Sequence, residues 1–198
     1  MNLEVRSFFG KEANAYKTAL AQLRIEIFRE FPYLYDGSLD YEEQYLDTFI
    51  GSDSSIIVVA FDGPEVVGVS TGIPMQHEPP NVQQPWIDEG FDVQDIFYLS
   101  ESVLRKSYRG QGIGLRFFEE REQWARELGF GYATFCGVIR PEEHPLRPVD
   151  YVPLDHFWKN RGYQQAQGLI CHMHWQEIGE DSESEKALQF WSKVLLPY

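Results

Sequence analysis

One passage constrains this chain more than any other: a β-rich run over 95–104 leads through Arg109-Gly110-Gln111-Gly112-Ile113-Gly114 into an amphipathic helical pattern over 112–128. Glycine lets the backbone turn tightly and come close to a ligand. The first-turn N–H groups of the helix that follows have no helical partners, and the helix dipole favours negative charge there. A strand, a glycine loop and a helix in that order therefore predict an anion site. Arg105, Lys106, Arg109, Arg116 and Arg121 cluster around it in a chain whose formal net charge is −14. A basic loop on an acidic protein points to a small polyanion, with Arg109 and Arg116 adding ionic contacts to phosphate oxygens. The same acidity argues against nucleic acid as a partner.

Two common phosphate loops do not fit. A P-loop needs Lys and Ser/Thr after its last glycine, where Leu115 and Arg116 stand. A dinucleotide fold needs its glycine turn after a first strand, with G-x-G-x-x-G spacing. Here the glycines are 110, 112 and 114, in mid-chain.

The rest of the chain reads as one α/β domain over 1–198. Alternation predicts a strand at 3–8. Tyr16, Leu20, Leu23, Ile27 and Phe31 predict a helix over about 11–31, and Tyr41, Tyr45, Leu46 and Phe49 a second. Runs 55–62 and 65–73, split by Asp62-Gly63-Pro64, predict a hairpin. Residues 74–93, with Pro74, Pro79, Pro80 and Pro85, read as a long connection. The helix after the glycine loop is expected to bury Leu115, Phe118, Ala125 and Leu128. A buried strand at 132–139, a proline-rich loop at 141–153, a short helix at 154–161 and a strand at 167–178 follow. The 186–195 tail suits either a helix or a strand, and a strand is preferred because it supplies a hairpin partner. Its Phe190 and Trp191, read as exposed, offer a homodimer surface. The order implies a mixed sheet with helices on both faces. No apolar run reaches the roughly 18 residues of a membrane span, and Met1-Asn2-Leu3-Glu4-Val5-Arg6 is not a secretory signal pattern. Cys136 and Cys171, both in apolar segments, suit reduced thiols in a cytoplasmic protein.

Ser102-Val103-Leu104 followed by Tyr108-Arg109-Gly110-Gln111-Gly112-Ile113-Gly114 resembles the acyl-CoA signature (Q/R)-x-x-G-x-(G/A) of the GNAT N-acetyltransferase superfamily. Phe157-Trp158-Lys159-Asn160-Arg161-Gly162-Tyr163 is similar to the family's late F-Y-x-x-x-G-F segment, and the order of elements matches over most of the chain. The resemblance implies a mixed, mostly antiparallel sheet of six to seven strands flanked by helices. It implies an enzyme that moves an acetyl group, or another short acyl group, from its CoA thioester to a small-molecule amine or peptide acceptor. Carried over by position, the amides of Arg109, Gly110, Gln111, Gly112, Ile113, Gly114 and Leu115 hold pyrophosphate. Backbone groups of Val103 and Leu104 pair with the pantetheine arm, and an N–H there polarises the thioester carbonyl. The chain departs from the family at Trp158, where a tyrosine often protonates the leaving thiolate, and at Tyr151, where an Asn is common. Tryptophan is not an acid, so Tyr151 or water is expected to substitute. The alternatives are an acyl-CoA-binding module without turnover and a nucleotide-binding protein.

Glu101, at the end of the central strand, is the expected general base for the amine, unless it is an ordinary strand carboxylate. Simple alternation sets it opposite Ser100 and Ser102, and a bulge reverses that. Arg140, His144 and Arg147, in a loop after a central strand, read equally as acceptor-binding cations and as loop pins. Tyr33 and Tyr35, with the acidic residues beside them, suit a cationic amine received over aromatic faces. Cys136 has nothing nearby to activate it as a nucleophile. His172 and His174 share a strand face without a third metal ligand, so no metal is expected.

Overall fold

The computed structural model describes residues 2–195. Strand β1 (Leu3–Phe8) leads through a 3-10 turn into helices α1 (Lys17–Phe28) and α2 (Leu39–Ile50). The hairpin of β2 (Ile56–Asp62) and β3 (Glu65–Pro74) follows, then helix α3 (Pro80–Asp88) and strand β4 (Ile96–Leu104). Helix α4 (Ile113–Glu127), strand β5 (Tyr132–Val138), helix α5 (Asp155–Asn160) and strands β6 (Gln164–Trp175) and β7 (Ser184–Val194) complete it. The strands form one open sheet in the order β1-β2-β3-β4-β5-β7-β6. Every neighbouring pair is antiparallel except β4 with β5.

That parallel pair joins the two halves of the sheet and is short. Residues 96–98 pair with 132–134, and the strands then part. β5 pairs with β7 on its other side throughout, while residues 101–104 pair only with β3. The sheet forks, and the open end faces the loop that follows β4.

A bulge lies at the fork. Thr71 pairs with Glu101 and Ile73 with Tyr98, so two steps on β3 face three on β4. One extra residue flips the side-chain alternation. Phe97 and Leu99 pack with Phe117 and Phe118 of α4, whereas Val103 packs with Leu20, Leu23 and Leu46 of α1 and α2. The carbonyls this irregularity frees are met by Arg121, a fully buried α4 side chain. It donates to Thr71 O and Glu101 O, both at 3.1 Å, to Ser102 Oγ at 3.0 Å and to Phe117 O at 2.9 Å. Burial lowers its pKa to about 10.

Four expectations are corrected. The helix at 11–31 begins as a 3-10 turn over Gly10–Tyr16 and is α-helical only from Lys17. The connection at 74–93 contains α3, whose only apolar pair at helical spacing is Val82 and Trp86, and whose start is set by Pro80 at its first turn. In α4 the buried face runs through Ile113, Phe117, Phe118 and Ala125, so Leu128 is exposed. The tail is the preferred strand and pairs with β6 as a hairpin, but it also pairs with β5 and so is internal, not exposed. Phe190 and Trp191 are therefore core residues on opposite faces, and the proposed dimer surface loses its basis.

Arg121→Met is expected to cost roughly 3 kcal/mol of stability, the penalty for leaving buried acceptors unpaired. Urea unfolding measures it, and Arg121→Lys should recover only part of the loss.

Candidate active site

The loop expected to hold an anion stands at the open end of the fork. Gly110 has φ +77° and Gly112 φ +83°, values that L side chains rarely adopt. Space is open around both, and a Cβ at either position would meet nothing within 4 Å. Gly112 is the left-handed N-cap of α4, and the first helical bond runs from Arg116 N to Gly112 O at 3.1 Å. The amides that precede it are the orphan donors of a helix start. The loop is anchored by Tyr108, which packs on the α4 side of the core and donates to Asp62 at 3.1 Å.

The surrounding cations already have partners. Arg105 pairs with Glu26 and Glu65, Arg109 with Glu30 at 2.8 Å, and Arg116 with Glu120 at 2.7 Å. Arg109 Nε also donates to Leu104 O at 2.9 Å. Arg121 is inside the core and does not face the loop's ligand side. What the loop presents directly is backbone amide, not free guanidinium.

On the α1 and α2 face, the flipped alternation places Glu101 under the helices, where it is buried. Arg24 of α1 bridges two carboxylates there. Its Nη1 is 2.5 Å from Glu101 Oε1, and its Nε donates to Glu42. Tyr45 donates to Glu101 Oε2 at 2.9 Å, and its ring lies 4.1 Å from the Arg24 guanidinium carbon. Burial alone would lower the Arg24 pKa, but Glu101, Tyr45 and Glu42 together hold it above the ordinary value. Tyr45 is held well above its usual range by burial and by Glu101.

A second carboxylate at the fork had no sequence signal. Glu78 follows the 3-10 turn at the end of β3 and is partly buried. Its Oε1 accepts from Ser100 Oγ at 3.4 Å, next to the bulge. Burial, then the charge of Glu101, push its carboxyl up to about 7, against the smaller opposing effect of the Ser100 hydroxyl.

The tyrosine-rich segment and the loop after β5 do come together. Arg140 donates to Pro32 O at 2.7 Å and Tyr33 O at 3.2 Å and pairs with Glu177, so its guanidinium ties the two segments together. Tyr151 stacks edge-on against Phe31 with ring centroids 4.7 Å apart, His144 lies 5.5 Å from the same ring, and Arg147 lies over Tyr151 at 5.2 Å. Asp150 reaches Lys106 at 3.4 Å, which closes this loop across the end of β4. Burial raises the Tyr33 pKa, with contributions from Cys136, Tyr151 and Glu101, which places its phenol among groups from both arms of the fork. Tyr35 faces Glu42 and borders a cavity of about 220 Å³ that Asp36, Tyr41, Trp175 and Glu183 also line.

Cys136 lies 3.0 Å from Tyr98 Oη, and Cys171 and burial raise its pKa well above the ordinary thiol value, so it is a poor nucleophile. Trp158 packs against Phe135 and Trp191, and a Cβ at Gly137 would lie 3.0 Å from its ring. His172 and His174 both approach Glu185, and the described residues include no group of three that could hold a metal. No helix among them is long and apolar enough to cross a membrane.

No curated protein matches this sequence at a significant level. Solved structures do match its fold. A ribosomal-protein-alanine N-acetyltransferase from Brucella melitensis aligns with a TM-score of 0.64 at 17% identity, covering 97% of this chain and 99% of that one. An N-acetyltransferase from Staphylococcus aureus Mu50 aligns at 0.62 with 15% identity, covering 99% and 100%. An aminoglycoside 6'-N-acetyltransferase complexed with coenzyme A aligns at 0.60 with 17% identity, covering 98% of each chain. The family model for the acetyltransferase (GNAT) family matches residues 20–148, which contain the fork, the glycine loop and both carboxylates. That span is well over half of the chain, and on it the chain belongs to the acetyltransferase (GNAT) family.

Proposed function

We propose that this chain, as one domain over 1–198, transfers an acetyl group from acetyl-CoA to the amine of a small-molecule or peptide acceptor, by direct attack in a ternary complex. The observation that carries the reading is the fork between β4 and β5 with the glycine loop at its open end. A pyrophosphate fits amides 109–115, since Gly110 and Gly112 leave the space around them open. The pantetheine arm fits the edge of β4 that β5 leaves unpaired, along Val103 and Leu104. When bound, the donor supplies an activated thioester. Its carbonyl would lie along that edge, where a fixed backbone N–H stabilises developing oxyanion charge.

The acceptor would enter from the α1 and α2 face. Tyr33 and Tyr35 supply aromatic faces, and Glu42, Glu78 and Glu101 outnumber the single guanidinium of Arg24, an environment suited to an ammonium group. Arg140 shapes that wall by holding the backbone of Pro32 and Tyr33, while His144 and Arg147 border it through Phe31 and Tyr151. Tyr151 is the available phenol for the departing thiolate, since Trp158 carries no acidic proton. A thiol is a moderate acid, with a pKa of about 8.5, so its thiolate also leaves without help. Cys136 and Cys171 are free thiols, in keeping with a cytoplasmic setting.

Trp158 gives the second reading its specific support: an acyl-CoA-binding module without turnover. Thiol release from acetyl-CoA, measured against amino acids, polyamines, aminoglycosides and peptide N-termini, separates the two. Release with at least one amine is expected, and CoA binding with no release from any of them selects the binding module. Gly112→Val should weaken CoA binding by about tenfold or more, because a side chain in the left-handed region costs roughly 1–2 kcal/mol. Calorimetric titration checks this.

A further inference from the structure

Two carboxylates stand at the fork, and their surroundings differ. Glu101 Oε2 accepts from the Tyr45 hydroxyl, and Oε1 is ion-paired with Arg24 Nη1 without hydrogen-bond geometry. A buried carboxylate paired with a guanidinium is stabilised in its charged form and is a poor acceptor for a proton from an incoming ammonium. Glu78 has one long contact, from Ser100 Oγ. No lysine or arginine among the described residues pairs with it.

The position of Glu78 is well defined. Its backbone N–H donates to Met75 O at 3.0 Å, and Gln83 of α3 holds its carbonyl. The titratable groups facing it are Glu101 and Tyr98 of β4, Tyr45 of α2 and Cys136 of β5, each linked to it electrostatically. Ser100, whose hydroxyl reaches Glu78, lies between Tyr98, the last β4 residue paired with β5, and Glu101, so the Glu78 carboxyl stands where the strands part.

We propose that Glu78 is the group that takes the proton from the acceptor ammonium, and that Glu101, beside Arg24 and Tyr45, is a positioning charge. This rests on the acetyl-transfer reading. In the step, the ammonium N–H breaks and its proton passes to Glu78, and the neutral amine forms the C–N bond as the C–S bond breaks. Nitrogen loses two protons in becoming an amide N–H: the first leaves through Glu78 to solvent, the second goes to the departing sulfur. A carboxyl near 7 is a stronger base than an ordinary carboxylate, yet is half ionised at neutral pH. Activity that needs its charged form rises with pH through about 7 and then levels off. Removing the neighbouring charge of Glu101 lets Glu78 ionise more readily, which moves that rise to lower pH.

The test combines kinetics with a titration that needs no turnover. With an amine found active by thiol release, Glu78→Gln should lower kcat/KM by about 100-fold or more and abolish the limb near 7. Glu101→Gln should keep a limb displaced to lower pH, and Glu78→Asp should recover part of the rate. In unliganded protein carrying glutamate labelled with carbon-13 at Cδ, one carboxyl should titrate near 7, vanish in Glu78→Gln and shift downward in Glu101→Gln. The charged form of Glu78 is disfavoured in the fold, so its cost appears as pH rises above the ordinary carboxylate value and is complete above 7. Glu78→Gln should therefore melt a few degrees higher at pH 8 and unchanged at pH 4. CoA affinity, unchanged in both Gln variants, confirms that each is folded. Thiol release by wild type with Glu78→Gln equally active, or no carboxyl titrating above 6, overturns this assignment alone. Absence of thiol release by wild type overturns the acetyl-transfer reading and this assignment with it.

Discussion

The extra residue in β4 organises the site. Without it, Glu101 and Val103 would share a face with Phe97 and Leu99 and point at α4. With it, one strand presents apolar side chains to α4 at its start and a carboxylate to α1 and α2 at its end. The irregularity persists because Arg121 meets the carbonyls it frees, and its four acceptors offset part of the cost of burying the guanidinium. Bulges recur beside active sites for this reason: they re-aim a side chain without breaking the sheet.

The Arg24 network depends on that re-aiming. One guanidinium between Glu42 and Glu101, capped by the Tyr45 ring, is a buried group with a net negative excess. Such clusters contribute little net stability, because desolvation offsets their mutual attraction. Their effect is local potential, and Glu78 lies within reach of it.

Some of this was legible in the residues and some was not. The glycine loop reads directly, since the demand for positive φ at Gly110 and Gly112 and the orphan amides of a helix start are local properties. The hairpin at Asp62-Gly63-Pro64 reads for the same reason. Helix α3 does not: Pro79, Pro80 and Pro85 look like loop chemistry, and only packing of Val82 and Trp86 on the sheet makes the segment helical. The tail reads as a strand but not as an internal one, because strand order is a long-range property. Arg121 resembles the loop arginines in sequence, and its four inward bonds appear only once β3, β4 and α4 are assembled. Glu78 lies in a proline-rich connection, where a lone glutamate carries no pattern. Its character comes from burial in the assembled fold and from the charge of Glu101, more than 20 positions away.

The fork gives the protein an edge strand on the inside. Exposed sheet edges invite pairing with other chains, and proteins blunt them with charges, prolines or bulges. Residues 99–104 carry such an edge, but β5 flares away beside it and the loop from Arg140 to Asp150 crosses its end. A notch that narrows to the three paired residues 96–98 is closed at its base, so a neighbour's strand could not pair along the whole of β4. In the acetyl-transfer reading, that open edge is where a slender amide-bearing chain would lie. On that reading, one hydrogen-bonding edge would serve a thin ligand while its shape withholds it from aggregation.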